Sequence, residues 1–130
     1  MNYELKVTDV TFEDLESILA DGLMQSNYLQ LLIESGSEDY NNAKLHYMGE
    51  EDVTFEGVLA TILLQGKHIE LRDCEDGKTY QLTLDKIKNA FNLCLNNDSE
   101  TFANIVTENY DYTDMDILLQ FALFGEIIYG

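Results

Sequence analysis

Apolar and polar positions along the chain repeat one short phrase four times: an apolar residue, a Thr, a polar or acidic stretch, and an apolar residue four places after the Thr. It occurs at Val10-Thr11 with Leu15, Val53-Thr54 with Val58, Leu82-Thr83 with Ile87, and Tyr112-Thr113 with Ile117. A Thr hydroxyl in that position accepts from an unpaired amide of a first helical turn, and the flanking apolar pair closes over it as a staple. The phrase therefore predicts four helix starts. Glu13, Asp14, Glu56, Asp114 and Asp116 fall in the opening turns, where the positive end of the helix dipole favours them. After Thr11, residues Phe12, Leu15, Ile18, Leu19 and Leu23 form an apolar stripe opposite Glu13, Glu16 and Asp21, the mark of an amphipathic surface helix. A second stripe, Phe55, Val58, Leu59, Ile62 and Leu63, closes at Gly66. The identical Asp-Val-Thr-Phe-Glu at 9–13 and 52–56 is read as shared capping, because no fixed period continues beyond it.

The period changes from helical to alternating over 68–84. Ile69 and Leu71, then Tyr80, Leu82 and Leu84, flank Asp76-Gly77, which supplies the positive φ of a hairpin turn. Ile87, Ala90, Phe91 and Cys94 return to helical spacing, and a short helix is expected from Ser99 with Phe102, Ile105 and Val106 inward. Met115 to Phe124 is apolar nearly all round, as in a helix enclosed by others or by a partner subunit. Tyr3 to Val7 reads as an edge strand. Between Tyr28 and Met48 the signals conflict; strands are expected there, with a loop over Gly36 to Asn42. Together these predict an α+β fold, a small antiparallel sheet that includes the 68–84 hairpin packed against four or five helices. Val10, Leu15, Leu19, Leu59, Ile62, Phe91, Leu118 and Phe121 are expected inside.

Length and composition fit a single domain spanning 1–130: 45% of its residues are hydrophobic, enough for one core, and no proline or Gly/Ser tract marks a linker. Residues 1–6 carry neither the basic start nor the apolar run of a secretory signal, and the longest apolar stretch is too short for a bilayer. Cys74 and Cys94 form no CxxC pair, which argues against a disulfide framework or zinc knuckle. A cytoplasmic protein, in a host cell's cytosol, is the expectation.

Charge changes the picture most. The chain has 25 Asp and Glu against 7 Lys and Arg, a net −18, with no Lys or Arg from Val7 to Ala43 and none after Lys88. A nucleic-acid backbone or an anionic membrane would be repelled along most of this chain. No phosphate-binding glycine loop appears, and His46 and His68 lack metal-ligand spacing, so they read as ordinary strand residues. Cys94 sits on the apolar stripe and reads as core rather than nucleophile. Asp73, Glu75 and Asp76 read as a solvated turn and Asp111, Asp114 and Asp116 as helix capping, since neither set follows a calcium-loop order. No catalytic residue, cofactor or metal is therefore expected, and the chain is read as not an enzyme.

Surplus carboxylate also has a constructive reading, presentation of phosphate-like charge to a basic groove. Duplex DNA carries one charge per ~1.7 Å, so this net charge corresponds to roughly 30 Å of duplex, close to the ~35 Å breadth expected of a domain of this length. The carboxylates favoured for such a face are Glu13, Glu16 and Asp21 on the first helix and Glu50, Glu51 and Asp52 ahead of the second. A plain acidic, soluble domain is the competing reading.

The stretch from Asp116 to Gly130, Asp-Ile-Leu-Leu-Gln-Phe-Ala-Leu-Phe-Gly-Glu-Ile-Ile-Tyr-Gly, resembles a family of small acidic proteins encoded by bacteriophages and prophages, as do Phe55–Lys67 and the hairpin Glu75–Leu84. Members often carry a Gly-Gly-x-Asn-Tyr-Trp segment after the first helix; here Asn27-Tyr28 remains and Leu29 replaces the Trp. The resemblance implies a phage accessory gene, a group rich in antagonists of host defence, and brings no catalytic residue with it. The expected partner is then a host protein with a basic nucleic-acid-binding groove, and the expected role anti-CRISPR or anti-restriction by mimicry of nucleic acid. Two alternatives stand beside it: sequestration of a nucleotide immune signal, with Asn27 and Tyr28 contributing stacking or hydrogen bonds, and a small phage accessory protein of another role. A homodimer through exposed parts of the Met115–Tyr129 region is a further candidate.

Overall fold

The computed structural model describes residues 9–33 and 36–129. The expected strand at Tyr3–Val7 lies outside them. Helix α1, Phe12–Ile18, starts at Thr11 with a reciprocal box: Asp14 N–H donates to the Thr11 hydroxyl at 3.2 Å and Thr11 N–H to the Asp14 carboxylate at 3.0 Å. The chain runs on from α1 through a π-helical turn, Leu19–Leu23. Strand β1, Leu29–Leu31, and helices α2, Glu38–Leu45, and α3, Phe55–Leu64, follow. Then come β2, Ile69–Asp73, β3, Thr79–Leu82, α4, Leu84–Asn97, α5, Ser99–Val106, and α6, Tyr112–Phe124. The protein is α+β, with six α-helices against a three-stranded antiparallel sheet among the described residues.

Thr54 and Thr83 cap α3 and α4 as their spacing predicts. The fourth start is different. Asp111, not Thr113, caps α6, accepting from Thr113 N–H at 2.9 Å and Asp114 N–H at 3.1 Å, while Asp114 returns to Asp111 N–H. A charged carboxylate at the N-cap satisfies two orphan amides and meets the helix dipole, so it takes the position from the Thr two residues later.

The sheet order is β1-β2-β3, with Leu31 opposite Leu71 and Leu71 opposite Tyr80. Gly77, at φ +75°, turns the hairpin at the residue that Asp76-Gly77 marks. Alternation along β2 puts Ile69, Leu71 and Asp73 on the covered face. Asp73 is consequently fully buried, and the reading of residues 73, 75 and 76 as one solvated turn holds only for Glu75 and Asp76. Within 28–48 the expected strands reduce to Leu29–Leu31. Part of the expected loop is α2, begun by Ser37, whose hydroxyl accepts from Tyr40 N–H. Only Ala43 of α2 is buried, so the helix carries almost no apolar stripe for the sequence to display.

All eight residues expected inside are buried. Helix α6 lies against α4, α5, β3 and the π-helical turn, so this chain itself covers most of it. Gly22 allows that closeness: a Cβ there would stand 2.8 Å from Leu119 Cδ1 and 3.2 Å from Met115 Cβ. On α5, Ile105 is buried but Val106 is 54% exposed, a correction to its expected inward position. A helix of eight residues, little more than two turns, turns one narrow stripe inward, and Thr101 and Ile105 occupy it.

Candidate functional site

With so few bases, the carboxylates of this protein find neutral partners. Among the described residues, Lys67 and Asp39, 3.3 Å apart, form the one ion pair of a Lys or Arg, and His68 lies 3.7 Å from Glu70. Four tyrosine hydroxyls instead donate to aspartates: Tyr28 to Asp116 at 2.6 Å, Tyr80 to Asp76 at 2.8 Å, Tyr110 to Asp21 at 2.8 Å and Tyr129 to Asp73 at 2.6 Å. Burial, then the Asp116 bond, moves the ionisation of Tyr28 to higher pH, and burial, then Asp21, does the same for Tyr110. For Tyr129 and Tyr80 the bonds to Asp73 and Asp76 are the leading causes of the rise. A phenol that stays protonated is a dependable donor to an anion, and it brings no charge.

Five of the six carboxylates singled out in the sequence have a different environment. Glu13 and Glu16 of α1 and Glu50, Glu51 and Asp52 of the loop before α3 line a single groove of about 310 Å³. Its remaining wall is aromatic and apolar in part, with Phe12 set edge-on to Tyr47 at 5.5 Å between centroids. Thr54 ties the two sides together, since its hydroxyl donates to Glu16 at 2.8 Å and accepts from Gly57 N–H at 2.9 Å. Tyr47 fits there only because residues 49 and 57 are glycine. A Cβ on Gly49 would lie 2.6 Å from the Tyr47 ring, and one on Gly57 would overlap the Tyr47 hydroxyl. Among the described residues, Glu13, Glu50, Glu51 and Asp52 are exposed and their side chains make neither a hydrogen bond nor an ion pair. Met48 and Val53, about half exposed at 48% and 50%, stand in the same 47–54 segment.

Asp21 does not join them. It stands eight residues beyond Glu13, about 12 Å further along the helix axis, where its carboxylate accepts from the Tyr110 hydroxyl instead of lining the groove. Phe12 reads in the sequence as part of the buried stripe of the first helix rather than as groove wall, and Tyr47 is marked only by standing two residues before a glycine in a segment otherwise without pattern.

Asn27 and Tyr28 are brought to a second hollow, of about 390 Å³, shared with Tyr112, Asp116, Gln120 and Tyr129. The Gln120 side chain is fully buried there and fully bonded. Its Nε2 donates to Asp116 at 2.9 Å and to the Tyr129 carbonyl at 3.1 Å, and its Oε1 accepts from Ile128 and Tyr129 N–H, both at 2.9 Å. That amide folds segment 127–129 back over α6, so that Tyr129 rests 4.7 Å from Tyr28, ring to ring. A carboxylate in the wall, in a protein of net charge −18, opposes entry of a phosphate and so disfavours the nucleotide alternative.

Cys94 is buried on α4, and burial pushes its thiol up to about 12, the state of an inert core cysteine; Cys74 is exposed. Among the described residues no set of three His, Cys, Asp or Glu side chains is placed to hold a metal ion, and no helix is long and apolar enough to cross a membrane. Comparison with protein-family models, with characterised proteins and with solved structures finds no match to the chain in any of the three.

Proposed function

We propose that this chain is a non-enzymatic, phage-derived binding protein that occupies the basic nucleic-acid groove of a host defence protein through the α1/50–52 acidic groove. One observation carries the reading: five carboxylates from two segments far apart in sequence converge on one groove, four of them exposed and without a partner among the described residues. Like charges gathered in this way repel one another and lower stability, a cost that a cationic partner would remove. Elsewhere in the fold many carboxylates cap helices or hold phenols, and others, such as Glu38, Asp85, Glu100 and Glu126, are exposed without a side-chain partner among the described residues; the groove differs in gathering four such groups in one place. Aromatic and apolar side chains among the acids supply the packed centre a protein interface needs, with the carboxylates as its rim. The resemblance to phage accessory proteins supports a host defence factor as the target, and the near match between the chain's charge and that of a short duplex supports its nucleic-acid groove as the place.

The test is capture from host lysate by the wild-type chain and by the triple variant Glu13→Gln/Glu50→Gln/Glu51→Gln, at low and high salt. A captured defence protein should be lost on neutralisation and on raising salt, and the wild-type chain should displace nucleic acid from it. A partner retained equally by both chains at both salt concentrations would refute the groove as the contact.

A further inference from the structure

The hollow beside Asp116 has a chemistry of its own, independent of the acidic groove. Its one ionisable acid, Asp116, is half-buried, and the hydrogen bonds it accepts come one to each oxygen: Tyr28 Oη to Oδ1 at 2.6 Å and Gln120 Nε2 to Oδ2 at 2.9 Å. A carboxylate oxygen accepts two such bonds, so both retain capacity for a donor arriving together. Neither Lys nor Arg lines the hollow, and three tyrosines do: Tyr28, Tyr129 and, at the rim, Tyr112, 69% exposed. The volume, about 390 Å³, lies in the range of small-ligand sites. Segment 127–129, held by Gln120, builds one wall, so the carboxylate is oriented before any ligand arrives.

We infer that this hollow is a binding site for an alkylguanidinium group, received by the Asp116 carboxylate among the rings of Tyr28, Tyr112 and Tyr129. A planar guanidinium presents paired N–H donors that match two carboxylate oxygens, and it stacks on aromatic faces that also attract its charge. A phosphate meets repulsion at Asp116, and a neutral ligand leaves the carboxylate's free acceptor capacity unused. The shared chemistry has two sources, a free guanidino compound or the arginine side chain of a polypeptide.

Titration of the isotopically labelled full chain with agmatine, followed by amide chemical shifts, tests this directly. Saturable shifts are expected at Tyr28, Tyr112, Asp116 and Ile117, with at least about tenfold weaker binding for Asp116→Asn, the discrimination one lost charged bond supplies. Glu100→Gln, the same loss of charge on α5, should leave agmatine binding unchanged. A blocked arginine tetrapeptide forms the second arm: tighter binding than agmatine assigns the site to a polypeptide side chain, weaker binding to a free small molecule. Tyr112→Ala, on the exposed rim, gives a second loss of affinity should Asp116→Asn fold poorly. Equal shifts with the uncharged ureido analogue of agmatine, or non-saturating shifts spread over the acidic surface and indifferent to both variants, would overturn the inference.

Discussion

Replacing Gln120 by Leu removes four hydrogen bonds from a fully buried side chain while keeping its approximate size. At a net ~1 kcal/mol per bond the ceiling is about 4 kcal/mol. Two effects reduce it. Leucine does not carry the desolvation cost of a buried amide, and the Ile128 and Tyr129 backbone groups can regain water if segment 127–129 lifts, since Ile128 is already 44% exposed. Asp116 keeps only the Tyr28 hydroxyl. We expect a loss of about 2 kcal/mol, a fall in Tm of roughly 8 °C for a domain of this size. Chemical denaturation gives the first number and hydrogen exchange tests its cause, because Gln120 Oε1 is the acceptor for the Ile128 and Tyr129 amides. Their protection should collapse while that of the α4 core amides falls only with global stability. Gln120→Glu separates the bonds from the shape. It loses both amide donors and sets a second carboxylate against Asp116, so it should be worse than Leu at neutral pH and recover partly in acid, when one of the two carboxylates protonates. Unchanged Tm in Gln120→Leu together with retained protection at Ile128 and Tyr129 would refute the assignment of Gln120 as the residue that holds this segment.

Three further outcomes follow from the same structure. Gly22→Ala should cost about 1–3 kcal/mol, since its Cβ would crowd Leu119 and Met115 where the π-helical turn meets α6; denaturant midpoints measure it, and a neutral result would mean that the two elements can move apart freely. At pH 8 a thiol reagent should label Cys74 alone and both cysteines after denaturation. Because the Cys94 thiol is raised from 9 to about 12 by burial, the folded form holds its proton more tightly than the unfolded one: the contribution to stability is complete below pH 9 and is lost as pH rises towards 12. Taking ionic strength from about 0.01 to about 1 M shortens the screening length from ~30 to ~3 Å and should raise Tm, as a chain of net charge −18 is relieved of self-repulsion; a fall would show that paired charges dominate.

Local rules made most of the fold legible. Thr11, Thr54 and Thr83 each pair a cap with a staple, Asp76-Gly77 turns its hairpin, and the stripes over 55–63 and 87–94 locate their buried faces. What stayed hidden depended on partners distant in sequence or on a single register step. Asp73 reads as part of an acidic turn until the strand is seen to extend one residue further, which places it on the inward face under Tyr129. Asp111 competes with Thr113 for the same helix end, and two neighbouring cap residues cannot be ranked from spacing alone. Gln120 looks like an interruption of an apolar run, and its meaning appears only when residues 128 and 129 come back to it. For the acidic face, charge density along the chain identified Glu13, Glu16 and 50–52, but Asp21 is claimed by Tyr110, a partner 89 residues away that spacing along the first helix cannot reveal.

The distribution of partners carries more than the total charge. If acidity served solubility alone, carboxylates would be expected scattered and each indifferent to its surroundings. Instead Asp14, Asp98, Asp111 and Asp114 close helix ends, and Asp21, Asp73, Asp76 and Asp116 each hold a phenol, so these eight are built into the fold. Glu13, Glu50, Glu51 and Asp52 have no such employment, a condition they share with exposed carboxylates such as Glu38, Asp85 and Glu126; what sets them apart is that they share one groove, and that the packing of Tyr47 over Gly49 and Gly57 and the Thr54–Glu16 bond fix the surface on which they stand. Order in the scaffold with vacancy at the charges is the arrangement that binding requires, because a partner then meets preorganised anions and displaces no competing base. Gly57→Ala separates scaffold from charge: alanine favours the helix by up to about 1 kcal/mol yet evicts the Tyr47 hydroxyl, so a variant that folds normally and loses the partner, with every carboxylate intact, would locate recognition in the shape of the groove as well as its charge. Full retention of the partner by that variant would reduce the groove to its net charge.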